Sequence, residues 1–116
     1  MNDNIGNTSD YKPNVNRSEI ERRLLQLPIE IENQTIIVAE KKINLDIAVD
    51  EYRKKCDSYI NNINTIESAQ IEKGTSLLKT KWIKATGKFV KEQAKLKRLK
   101  NEFNSYKYLS NMGGYK

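Results

Sequence analysis

Apolar residues recur along this chain at alternating spacings of four and three. One run is Leu45, Val49, Tyr52, Cys56, Tyr59, Ile63 and Ile66. A second is Leu78, Trp82, Ala85, Phe89, Leu96, Leu99, Phe103 and Tyr106, with Glu92 as a polar interruption. Such spacing puts every member on one helical face, and its seven-residue period is that of a coiled-coil seam. Between the runs, Lys73-Gly74 reads as a helix stop, because glycine accepts the left-handed conformation found past a helix C-terminus. Thr75 or Ser76 can cap the next helix. Two matching seams with a short connection predict an antiparallel hairpin. Each arm of roughly 35 residues would be about 50 Å long.

Upstream of the first seam, Ser18 and Glu21 stand at the spacing of a capping box. Ile20, Leu24 and Leu27 follow on one helical face. Pro28 denies an N–H and crowds the carbonyl four residues back, so a short helix over 18–27 is expected to end or kink there. The stretch 29–39 has two readings. Ile29 to Glu32 alternates, and Thr35-Ile36-Ile37-Val38 is β-branched, which would suit a small strand hairpin turning at Asn33-Gln34. Two short strands without a third are marginal, and Leu24, Ile31, Val38 and Leu45 fall seven apart, so helix is preferred. Residues 1–17 show neither period and are expected to be a disordered tail. Gly113-Gly114 ends the last helix and leaves 113–116 as a flexible end. The expected fold is therefore all-α, with a hairpin domain over 18–112 built from helices at about 18–27, 29–70 and 76–110.

Composition narrows the function. Hydrophobic residues are 37% of the 116, there is no His, and Cys56 is the one cysteine. Triads that need a histidine base cannot be built, nor can a zinc site or a disulfide framework. No glycine-rich phosphate loop or metal-ligand spacing is visible, so no enzyme activity, cofactor or metal is expected. Cys56 reads as a plain buried thiol, which fits a reducing compartment. No apolar run is long enough to cross a membrane, and the polar first ten residues do not resemble a secretion signal, so a cytoplasmic location is expected. The thin apolar share suits a long hairpin better than a globule. Ile36, Ile37, Ile43, Ile47, Ile60 and Ile83 lie partly off the seams. The short N-terminal helix and a second copy of the chain are the expected covers.

Charge adds the sharpest asymmetry. The net charge is +6, yet residues 1–72 carry 9 basic and 13 acidic residues, while 73–116 carry 12 basic and 2 acidic. This pattern points to nucleic acid or another polyanion. Lys81, Lys84, Lys88, Lys91, Lys95 and Arg98 each precede a seam residue by one position. They form a stripe roughly 25 Å long, long enough to follow several phosphates. Lysine dominates, which favours backbone contact over base reading. The competing account is internal: seam-flanking charges also pair across coiled coils. Glu40, Asp46, Asp50, Glu51, Asp57 and Glu67 are available to pair with the stripe. Trp82, Phe89, Phe103 and Tyr106 are seam residues and read as core, whereas Tyr108 and Tyr115, with Ile36 and Ile37, are candidates for contact with a protein partner.

The run Ile20-Glu21-Arg22-Arg23-Leu24-Leu25-Gln26-Leu27-Pro28-Ile29-Glu30-Ile31 resembles the opening of small coiled-coil proteins of Gram-positive phages and prophages. The closing segment, Ala94 to Lys97 and then Asn101 to Ser110, is similar to theirs. An AT-rich genome, suggested by 16 Lys, 13 Asn and 13 Ile, agrees with such a source. The resemblance implies a helical hairpin and an accessory role near phage replication or recombination, and it transfers no catalytic residue. The leading expectation is a self-associating, non-enzymatic protein that binds nucleic acid through the stripe. Its rivals are an inhibitor or adaptor directed at a host protein and a structural assembly protein.

Overall fold

The computed structural model describes residues 17–61 and 68–112 of the chain. Expectations for the N-terminal tail, Ile63, Ile66, Glu67, Gly113-Gly114 and Tyr115 lie outside them. The fold is an all-α helical hairpin of two helices, α1 (Arg17–Asn61) and α2 (Ser68–Asn111). Two compact units divide it, and each joins a segment of α1 to a segment of α2. One contains residues up to Glu30 and from Leu99 onward; the other spans Ile31–Arg98.

Two local expectations are corrected. The first is Pro28, which stands inside α1 rather than ending a short helix. A proline in a helix interior ordinarily costs about 3 kcal/mol, so something must hold the chain helical across it. Leu27 is fully buried beside it, whereas Pro28 itself is exposed. Arg23 spans the turn that contains the proline, on a different face from it, donating from Nη1 to Glu30 Oε2 at 2.8 Å. It also donates to Glu102 Oε2 of α2 from Nε at 3.1 Å and from Nη2 at 2.8 Å. These two carboxylates raise the guanidinium above its ordinary, already high, pKa, so the guanidinium stays charged at every working pH. With no break at 28, the stretch 29–39 is helical and the expected separate N-terminal helix does not exist. Ser18 lies inside the first turn of α1, and Glu21 accepts from Arg17 Nε at 3.3 Å.

The second correction is Gly74. It sits inside α2, which is already helical at Ser68, ahead of the predicted stop. Its role is close approach. A Cβ built there would run into the Tyr59 hydroxyl and stand 2.8 Å from the ring carbon that bears it. Thr75 does not cap a helix; its hydroxyl donates to the Ile71 carbonyl one turn back at 2.9 Å. Gly87 is the opposite case, because an added Cβ would meet nothing within 4 Å. Gly87→Ala is therefore expected to stabilise the protein by about 1 kcal/mol, measurable as a higher urea midpoint at unchanged slope.

Burial follows the seams. Ile20, Leu27 and Ala48 are the buried apolar residues among those described, and the rest of both seams is half-buried. A pair of helices covers only one face of each, so this thin core is what two partners can provide. Ile36, Ile43, Ile47, Ile60 and Ile83 remain 51–64% exposed; the cover expected from the N-terminal segment is absent because that segment is the first part of α1. Among the described residues, no helix is long and apolar enough to cross a membrane.

Candidate nucleic-acid interface

The basic stripe lies wholly on α2 in the Ile31–Arg98 unit. Its residues precede the seam, so the face they occupy is fixed by the packing of Leu78, Trp82, Ala85, Phe89 and Leu96 against α1. Tyr52 and Trp82 anchor that packing, with ring centroids 5.4 Å apart. Lys81, Lys84, Lys88, Lys91 and Arg98 are exposed, and Lys95 is half-buried.

The internal-pairing account explains little of this charge. Lys81 pairs with Glu51 of α1 at 3.0 Å, and Lys95 lies 3.6 Å from Glu92 on its own helix. Lys84, Lys88, Lys91 and Arg98 make no ion pair among the described residues. The reason is a matter of sides. In an antiparallel pair, residues just before the seam on one helix share a face with residues just before the seam on the other. Glu51 precedes Tyr52 and so meets the stripe. Asp46, Asp50 and Asp57 follow Leu45, Val49 and Cys56 and so point to the far side. There Asp46 pairs with Lys42 at 2.9 Å and Asp50 with Lys54 at 3.0 Å, both within α1.

Along the stripe the two helices leave an open groove. Ala48 and Ala85 contribute to its floor, and Lys81, Lys84 and Lys88 of α2 face Lys41 and Asn44 of α1 across it. Lys41 was not singled out by the charge pattern, yet a signal exists. Leu27, Gln34, Lys41 and Ala48 fall seven apart, and this second register is the inward one: Leu27, Gln34 and Ala48 are buried and Lys41 is half-buried.

The polar interruption at Glu92 also finds its partner in that register. Gln34 is 9% exposed, and its amide donates to Glu92 Oε1 at 2.8 Å and to the Glu92 carbonyl at 3.0 Å. The Gln34 hydrogen bond, with help from Lys95 and Lys91, holds the Glu92 carboxyl below its ordinary pKa against the opposing effect of burial. A lowered folded-state pKa gives stability that is present above the ordinary carboxylate range and lost as pH falls through the folded value. The stability gap between the wild type and Glu92→Gln is thus expected to be widest near pH 7 and to shrink on acidification below about pH 4. Paired thermal melts across pH read this directly.

The remaining candidates scatter. Ile36, Ile37 and Tyr108 are exposed, at 54%, 36% and 64%; the first two belong to the Ile31–Arg98 unit and Tyr108 to the other. Phe103 and Tyr106 are half-buried seam residues, as is Cys56, whose hydrogen bond with Tyr52 raises the phenol pKa. Among the described residues, no group of three or more potential metal ligands forms. Comparison of the chain with protein-family models, curated proteins and solved structures finds no match, so a functional reading has to come from this face itself.

Proposed function

We propose that the chain binds nucleic acid through the phosphate backbone, without reading sequence and without catalysing a reaction. One observation carries the reading: four of the six stripe residues have no ion pair among the described residues, on a helix face ordered by the seam. A row of five ammonium groups and one guanidinium at alternating spacings of three and four suits a line of phosphates, and with Arg98 as its one bidentate fork it favours backbone contact over base reading. The sequence resemblance adds an accessory role in phage or prophage replication or recombination. Filter binding of single- and double-stranded DNA at about 50 and about 200 mM salt tests the reading. Affinity is expected to fall about a thousandfold between them if some six phosphates are engaged. Absence of any association at about 50 mM overturns it.

A second reading is a protein-binding adaptor or inhibitor, favoured by the exposure of Ile36 and Tyr108. A stoichiometric protein captured from nuclease-treated host lysate would support it in place of the first.

A further inference from the structure

The groove beside the stripe contains a feature that an exposed row of lysines does not require. Lys41 occupies an inward seam position, half-buried, one heptad from Ala48 and one from Gln34. It has no ion-pair partner among the described residues. A half-buried lysine covers its aliphatic stem and leaves its ammonium at the surface of the groove. Coiled coils place a charge there only at a cost in stability. The surroundings do nothing to relieve it. No carboxylate lines the groove, whose other cations are Lys81, Lys84 and Lys88. Glu51, the carboxylate that pairs with Lys81, does not line it. The two small seam residues, Ala48 and Ala85, leave the floor open, where a larger side chain on either helix would fill it. Asn44 adds an amide donor at the rim. The arrangement is an open groove lined by four lysines from two helices and by Ile47, Ala48 and Ala85, with Lys81 paired to Glu51 and the other three lysines without an ion pair among the described residues.

We propose that this groove is a phosphate-holding site that requires both helices, with Lys41 as its inner cation. The ligand chemistry is a phosphate with its charge shared among several ammonium groups, either one phosphodiester of a bound nucleic acid or part of a free polyphosphate. The proposal deepens the nucleic-acid reading and rests on it for the first of these sources. It differs from a plain stripe in one respect: a single residue on α1, outside the stripe, controls a disproportionate part of the affinity.

The test compares Lys41→Gln with Lys42→Gln, neighbours that lose the same charge. Lys42 is exposed on the far flank and pairs with Asp46. The probes are a 30-nucleotide oligo(dT) and sodium tripolyphosphate. Lys41→Gln is expected to weaken oligo(dT) binding about tenfold and to lower the salt slope by about 0.7, one single-strand phosphate contact. Lys42→Gln is expected to shift affinity by less than about twofold, as a distant screened charge does. Tripolyphosphate at about 1 mM is expected to raise the wild-type melting temperature by preferential binding to the folded state and to leave that of Lys41→Gln unchanged. Without ligand, Lys41→Gln is expected to melt no lower than the wild type, which separates loss of a site from loss of fold. If oligo(dT) binds and the two variants weaken it equally, the groove site is refuted and the stripe reading stands. If tripolyphosphate stabilises the wild type through Lys41 but oligo(dT) does not bind, the groove site stands with free polyphosphate as its ligand and the nucleic-acid reading falls. If neither probe binds the wild type, both fall.

Discussion

Leu27→Ala is expected to cost about 3 kcal/mol of stability, the largest effect of any single truncation here. Leu27 is the one large side chain that is completely buried among the described residues. Truncating it removes transfer free energy and leaves a cavity that rigid neighbours only partly close. Its position raises the stakes. Leu27 immediately precedes Pro28, where α1 lacks one backbone hydrogen bond, so burial of Leu27 and the Arg23 clamp are what offset the proline. Urea denaturation followed by circular dichroism should show a lower midpoint, and the N-terminal turns of α1 should lose amide protection first. A loss under about 1 kcal/mol would mean that the proline is tolerated for another reason. Total stabilities of small domains are about 5–15 kcal/mol, so a change of 3 is a large fraction.

Replacing Lys84, Lys88 and Lys91 together by Gln is expected to lower DNA affinity about a hundredfold at 50 mM salt. The salt slope on duplex DNA should fall by about 2.7, three phosphate contacts at about 0.9 each. These three residues are exposed, and none takes part in an ion pair among the described residues, so helicity and melting temperature should stay near the wild-type values. That contrast gives the experiment its force, because an unfolded variant would reveal itself in the melt. Unchanged affinity in a folded triple variant would remove the stripe from the binding surface altogether.

Much of the fold was legible because a seam is a periodic signal carried by many residues at once. The members of both runs from Leu45 to Tyr59 and from Leu78 to Tyr106 face inward as their spacing predicts. Punctuation was read less well. Pro28 and Gly74 are helix breakers by local rules, and local rules cannot see a guanidinium bridging across a proline or a tyrosine hydroxyl occupying the space of a Cβ. The inward register through Gln34 and Lys41 was hidden for a related reason. Polar residues at heptad positions look like noise until the partner helix supplies Glu92 for one, while the other lies over a floor of alanine. The charge stripe was fully visible as a pattern, but how much of it stays unpaired depended on which side of the seam each acid falls, a one-residue distinction.

The Gln34–Glu92 contact has a consequence for how the helices find their alignment. Two seams of repeating apolar residues can slide past one another by a heptad and still bury much the same area. After such a slide, Gln34 would meet Ala85 or Leu99 instead of Glu92, and its amide would lose both acceptors in a covered position. Leaving a covered polar group unpaired costs roughly 1–3 kcal/mol, which discriminates the native alignment from its neighbours by a factor of about five to about a hundred and fifty. Gln34, the one buried polar side chain among the described residues, thus acts as a vernier mark between otherwise interchangeable alignments, and through it the placing of Ala48 and Ala85 along the same groove is set.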